Sequence, residues 1–292
     1  MNIKHLILIA TGAAILGTGC KTEYPTYSGP DYIMFSQESH DLGILDSEEW
    51  FEIPISATRT AKHERTIGVE IVAERSNAIE GVHYVIESST LRIPAGEMST
   101  ALRIKGQPEN IELTDSLGIA LRLVLDKENI WEEYGIDTEV HLHKCCPTDL
   151  DIFTGYAKLT SSWIMQYMGG DARLVTTKRS KTNDNVIVVE DMFYKGYNVE
   201  LTLNTEDRLN PTVEMEPHTI GTTGEAFGTI YGNGKLRMMT PTGYTSYFGS
   251  CEKFLVLYTT MFVEDVGTVG TYVNIFEWIT NDEAERILRE GF

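Results

Sequence analysis

The sequence predicts an all-β protein of two domains. Three features carry that expectation: apolar residues recur at every second position, turn-forming residues fall between these runs, and a Cys-Cys-Pro step at 145–147 separates one set of runs from the next. The chain of 292 residues leaves room for two domains of ordinary size once a leader is set aside.

From residue 31 to 144 the strands are expected in close succession. A short one falls near 32–36. Phe51, Ile53 and Ile55 then alternate with Glu52, Pro54 and Ser56, and Ile67, Val69 and Ile71 alternate with Gly68, Glu70 and Val72. Successive side chains of a strand point to opposite faces, so this pattern suits a strand with one face in a core and one in water. Further runs fall near 83–86, 90–94 and 99–105. "LGIALRLVL" places Ile119, Leu121, Leu123 and Leu125 on one face, and Val140 and Leu142 follow in "TEVHLH". Seven or eight strands with turns between them have the count and spacing of an immunoglobulin-like β-sandwich.

Residues 145–154 read as a linker, because Pro147 cannot donate to a ladder and Thr148-Asp149 favours a turn. From 155 to 292 alternation returns in "NVIVVE", "YNVELTL", "TVEME", "AFGTIYG", "KLRMMT", "KFLVLYTTMFV" and "TYVNIFEWIT", with a hairpin signal at Asn233-Gly234. About eight antiparallel strands predict a barrel or sandwich, lipocalin-like in kind. The closing "TNDEAERILREGF" predicts a short helix, with Thr280 or Asn281 as its cap, acids in its first turn and Gly291 at its end.

The first residues have a different character. One cation, Lys4, precedes the apolar run Leu6–Leu16 and the small residues Gly17, Thr18 and Gly19, which is the layout of an export signal over 1–19. The run falls short of the roughly 20 residues that cross a bilayer. Leu16-Gly17-Thr18-Gly19-Cys20 resembles the lipobox of bacterial lipoproteins, with Gly17 where many carry Ala or Ser. That resemblance implies that Cys20 is lipidated and becomes the new N-terminus. The plainer alternative is a secreted protein whose Cys20 pairs in a disulfide. Lys21, where inner-membrane lipoproteins of gram-negative bacteria resemble one another in having Asp, implies attachment to outer-membrane lipid, with the cell exterior as the expected side. Residues 20–30, with Pro25, Gly29 and Pro30, predict an extended tether.

The formal charge of −19 repels phosphate backbones, and no basic run offsets it, so nucleic acid is not an expected partner. Solubility explains the acidity more simply than an acidic site does.

"EGVHYVIESSTLRIPAGEMSTALRI", residues 80–104, resembles the Calx-β pattern through Gly81, Tyr84, Leu91, Ile93, Gly96, Glu97 and Ile104. It is similar above all to the Calx-β-like domains of unknown function that open many surface lipoproteins of gram-negative gut bacteria. His83 stands where Calx-β domains have Asp, and the later acids are thinned to Glu109, Glu112 and Asp115. Calcium prefers six to eight oxygen ligands. The resemblance therefore implies the fold, leaves calcium open and calls for no cofactor. Cys146-Pro147-Thr148-Asp149-Leu150, followed by Phe153, Gly155 and Tyr156, resembles the opening of the C-terminal β domains of the same lipoproteins.

Three cysteines remain besides Cys20. Neighbouring Cα atoms are too close for an unstrained bridge between Cys145 and Cys146. Strand parity puts Cys146 on the buried side, which makes Cys146–Cys251 the candidate pair, against an unbridged buried thiol. The same parity places His141, His143 and Cys145 on one face, where two imidazoles and a thiolate could meet zinc, against a plain reading as exposed histidines with no fourth ligand nearby. No Gly-x-Ser-x-Gly elbow, His-Glu-x-x-His or phosphate-cradling glycine loop occurs. The carboxylate pairs Glu190-Asp191, Glu206-Asp207 and Glu264-Asp265 would face opposite ways on strands. Catalysis is not expected. In "TPTGYTSYFGS", Tyr244, Tyr247 and Phe248 stand among turn residues, where exposed rings could stack on sugar faces. Capture of an extracellular glycan or related ligand is the expectation; a structural or adhesive envelope protein with protein partners is the alternative.

Overall fold

The structure is a computed structural model that describes residues 27–131 and 134–292. The expected leader, Cys20 and most of the tether lie outside the described residues.

Alternating runs become strands in both halves. The first half contains β1 (Ile33–Phe35), β2 (Ser39–Ile44), β3 (Trp50–Ala57), β4 (Arg65–Ile71), β5 (Tyr84–Ile86), β6 (Thr90–Ile93), β7 (Ser99–Gly106), β8 (Leu117–Val124) and β9 (Asp137–Lys144). They form two facing sheets, ordered β1-β3-β7-β5 and β2-β9-β8-β4-β6. All pairs are antiparallel except β2 with β9. Their inner faces bury Ile53, Ile55, Ile67, Leu102, Ile104, Leu121, Val140 and Leu142 in one core. The residues that carry the Calx-β resemblance hold this fold together. Tyr84, Ile93 and Ile104 are buried, while Gly81 and Gly96 take φ of 79° and 86°, which glycine adopts at least cost. His83 Nδ1 accepts from the Ile79 N–H at 2.9 Å, so this imidazole organises a turn.

The second half contains β10 (Gly155–Ser161), α1 (Ser162–Tyr167), β11 (Ala172–Arg179), β12 (Val186–Glu190), β13 (Val199–Asn204), β14 (Thr212–Glu214), β15 (His218–Thr222), α2 (Thr223–Phe227), β16 (Lys235–Met239), β17 (Ser246–Gly249), β18 (Phe254–Val263), β19 (Gly267–Trp278) and α3 (Asn281–Glu290). The sheet order is β15-β16-β18-β17-β14-β13-β12-β11-β10-β19, and β18 pairs with β19 to close it. The ring β18-β17-β14-β13-β12-β11-β10-β19 is an eight-stranded barrel, with β16 and β15 continuing the wall beside the far half of β18. The all-β expectation of a sandwich followed by an antiparallel barrel with a short C-terminal helix therefore holds. Leu159, Val175, Ile187, Leu201, Leu255, Leu257 and Phe276 fill the lumen.

Closure rests on a polar group. Asn274 is fully buried where β10, β18 and β19 meet; its Nδ2 donates to the Leu257 carbonyl and to Thr259 Oγ1, each at 3.0 Å, and its Oδ1 accepts from Ser161 Oγ at 2.7 Å. Ser161 Oγ in turn accepts from the Trp163 N–H and caps α1. Removing one partner from such a set strands the others in a dry interior. We expect Asn274→Ala to lower the barrel's unfolding free energy by about 1–3 kcal/mol in a urea titration; an unchanged midpoint would show that closure does not depend on this group.

Two local expectations are corrected. "AFGTIYG" is not a strand, because Thr222 and Glu225 form a reciprocal capping box and Gly228 ends the turn at φ 70°, making α2. "TPTGYTSYFGS" is not wholly a loop either, since residues 246–249 form β17 between β14 and β18. The C-terminal helix is capped by Thr280, whose side chain accepts from the Glu283 N–H.

The halves meet where the ends of β2 and β9 face the β13–β14 and β17–β18 turns. Arg208 donates to Glu49 Oε2 at 2.5 Å and to the Gly43 carbonyl at 3.3 Å. Cys146 and Cys251 form a disulfide with Cα atoms 5.3 Å apart, and Thr148 and Ser250 hydroxyls meet alongside at 2.9 Å. Leu150 and Phe153 then enter the barrel core.

Candidate functional site

β17 and β18 present an aromatic strip on the outer face of the barrel. In β18, Leu255, Leu257, Met261 and Val263 point into the lumen, so Phe254, Val256 and Tyr258 point outward. Tyr247 lies opposite Val256 in the register. The rings of Tyr247 and Phe254 meet edge-on with centroids 6.0 Å apart, and Tyr244, on the turn before β17, lies 5.2 Å from Tyr258 at 38°. Val256, although outward-facing, is buried beneath these rings. Tyr244 is 54% exposed and Tyr247 43% exposed, so large areas of both rings face water. Thr212 lies opposite Tyr247 on β14, and Thr245 is exposed between the two tyrosines, which sets hydroxyl groups beside the rings. An apolar platform with polar neighbours of this kind stacks on flat ligand faces and bonds to ligand hydroxyls.

Phe248 has no part in this strip. It is 2% exposed and points inward, its ring 5.3 Å from Phe153, because its parity on β17 is opposite to that of Tyr247. Its place is taken by Tyr258 and Phe254. Their period-two spacing in "KFLVLY" was visible in the sequence, but the pairing of β17 with β18 that unites them with Tyr244 and Tyr247 was not.

His141, His143 and Cys145 share a face, yet they do not converge. His143 Nε2 is 2.8 Å from Asp41 Oδ1, while Cys145 Sγ lies 3.8 Å from the Arg208 carbonyl at the domain junction. Burial pushes the Cys145 thiol up; nearby Arg208 opposes this, and Asp207 and Glu49 add to it. A thiol held protonated is a poor metal ligand and a poor nucleophile. Among the described residues, no group of three or more His, Cys, Asp or Glu is placed to share an ion.

A larger cleft, about 570 Å³, lies at the junction between Asp41, His143, Arg208 and Cys251. Part of its polar lining is engaged, Asp41 with His143, Arg208 with Glu49 and Thr148 with Ser250. The Arg208–Glu49 pair joins the domains, and in the aromatic strip Tyr244 and Tyr247 keep their rings open to water.

Residues 133–290, the whole barrel with the last strand of the sandwich, match a family described as a domain of unknown function, DUF4984. The chain belongs to this family. The aromatic strip lies within the DUF4984 region. No curated protein matches the chain. Among solved structures, the apo form of the Calx CBD1 domain is 14% identical, covering 40% of this chain and 98% of that one at a TM-score of 0.33. A protein of unknown function from Bacteroides ovatus is 9% identical over 84% of this chain and 89% of its own, at a TM-score of 0.35. An auxiliary nutrient binding protein from Bacteroides thetaiotaomicron is 12% identical over 88% and 94%, at 0.32.

Proposed function

We propose that this protein is a lipid-anchored, non-catalytic protein of the outer membrane that captures an extracellular glycan on its barrel wall. The observation that carries the reading is the outward strip of Tyr244, Tyr247, Phe254 and Tyr258, where rings are left open to water instead of closing a core. The lumen, filled by Leu159, Val175, Ile187, Leu201, Leu255, Leu257 and Phe276, supports a site on the outer wall. The signal-like segment ending at Cys20 supports anchoring, and the Cys146–Cys251 bridge suits an oxidising compartment. The adhesive alternative draws less support. A partner strand needs a long free edge, and three of the four sandwich edge strands, β1, β5 and β6, have only three or four residues.

The test is a binding screen of residues 21–292 against plant, host and microbial polysaccharides, with Tyr244→Ala, Tyr247→Ala and Tyr258→Ala variants. Loss of one stacked ring is expected to weaken binding by roughly 1–2 kcal/mol, about tenfold. Silence across the panel, or full binding by all three variants, would transfer the function to protein partners.

A further inference from the structure

The sandwich has a second aromatic surface, at the pole farthest from the barrel. The register fixes that polarity. Trp50, at the start of β3, follows Glu49 of the domain junction, and Ala57, at its end, pairs with Ile33 at the start of β1. β9 likewise begins at this far pole and runs to the junction, while Gly68 pairs with Val124 so that β8 ends there. Segment 29–32 is fastened at the same place: the Tyr32 N–H donates to Thr58 Oγ1, Arg59 donates to the Gly29 carbonyl, and Asn129 Nδ2 donates to the Asp31 carbonyl. The chain therefore comes in from its N-terminal segment at the pole opposite the barrel.

Around this point the protein leaves large apolar side chains in water. Trp131 stacks on Tyr32 with centroids 5.8 Å apart and 18° between planes, and Tyr134 packs against Trp131 at 5.8 Å. Tyr27, Met98 and Val124 are exposed at the same pole. The sequence around the cluster carries more acid than base, with Asp31, Glu97, Asp126, Glu128, Glu132 and Glu133 against Arg59, Lys62 and Lys127. Trp and Tyr favour the boundary between water and hydrocarbon, where an apolar ring and a polar edge are both accommodated. From Cys20 to Tyr27 the chain can span at most about 25 Å, so an anchored N-terminus keeps this pole within reach of the bilayer.

We propose that the Tyr32–Trp131–Tyr134 cluster rests in the headgroup layer of the membrane that holds the N-terminus, as a second contact beside the lipid. The inference rests on the anchor reading of Cys20. It gives that anchor an orientation: the sandwich stands on its aromatic pole and the barrel is carried away from the bilayer. The local acidic excess, on a chain whose formal charge is −19, fits zwitterionic headgroups better than anionic ones, which would repel it.

The test fixes the attachment chemically, so that it does not depend on whether a cell lipidates Cys20. Residues 20–292 carrying Cys145→Ser are coupled through the Cys20 thiol to a maleimide lipid in phosphatidylcholine vesicles brominated near the ester end of the acyl chains. Of the four tryptophans, Trp163 is buried in the barrel and Trp131 alone belongs to the cluster. Bromine-dependent quenching of the Trp131 share of the emission is expected, absent in Trp131→Phe. Emission in buffer checks that this variant keeps its fold. No bromine-dependent loss in the parent, or the same loss in Trp131→Phe, would overturn the contact. The mass of the Cys20 peptide from native envelopes tests the anchor reading separately.

Discussion

Replacing Cys146 and Cys251 with serine is expected to lower the barrel's unfolding free energy by about 2–5 kcal/mol. The bond joins residues 105 apart, so it removes many open conformations from the unfolded chain, and a closed loop of about that size is worth on the order of 4–5 kcal/mol in the chain-entropy account. It ties the segment that feeds β10 to the turn between β17 and β18, beside the hydroxyl contact of Thr148 with Ser250. Both ends belong to the barrel side of the junction. Chemical denaturation should therefore show two transitions, of which only the barrel's moves when the bridge is removed or reduced. Cys145→Ser is the control, expected within about 0.5 kcal/mol of the parent because no bond is lost. A reductant that leaves both midpoints in place would show that the bridge contributes nothing.

Legibility followed the length of the local pattern. β8, β18 and β19 stood out because they run for eight, ten and twelve residues rich in apolar and β-branched side chains. Short strands were uneven: β1, β5, β6 and, in "TVEME", β14 were legible, whereas β17 was not. β17 has four residues and exists because β14 and β18 offer free edges on either side, a fact of tertiary pairing that no window of sequence contains. Phe248 was misplaced for that reason. Gly243 before it and Gly249 after it signal turns, yet a single strand between them turns its ring into the lumen. The helix at Thr223 was legible in principle, since Thr222, Glu225 and Gly228 spell a start and a stop, but the apolar alternation of "AFGTIYG" obscured it. The Arg208–Glu49 contact, between residues 159 apart, carries no local sign at all. The candidate site was thus half visible: two of its rings stood out in the sequence, and the two contributed by β18 needed the barrel to close.

Trp163→Ala is expected to destabilise the barrel by about 3–5 kcal/mol, a large share of the 5–15 kcal/mol by which a domain is ordinarily stable. Trp163 is fully buried beneath the end of the barrel away from the sandwich. Its ring meets Tyr167 at 4.3 Å, Tyr272 at 5.1 Å, Phe227 at 6.1 Å and Phe193 at 6.4 Å, joining α1, α2, β19 and the β12–β13 loop. Truncation leaves a cavity that rings held by four separate elements cannot collapse to fill. Trp163→Phe should cost much less. It keeps a ring against Tyr167 and Tyr272, and it removes an indole N–H that approaches the Tyr194 hydroxyl without forming a good hydrogen bond, so no satisfied group is orphaned. The two variants also separate stability from recognition. Trp163 lies inside the lumen and the Tyr244–Tyr258 strip outside it, so Trp163→Phe should keep the parent's ligand affinity. Trp163→Ala should lose ligand only under conditions where its barrel unfolds. Equal costs for the two variants in thermal or urea unfolding would mean that the indole itself, rather than the filled volume, holds this end of the barrel.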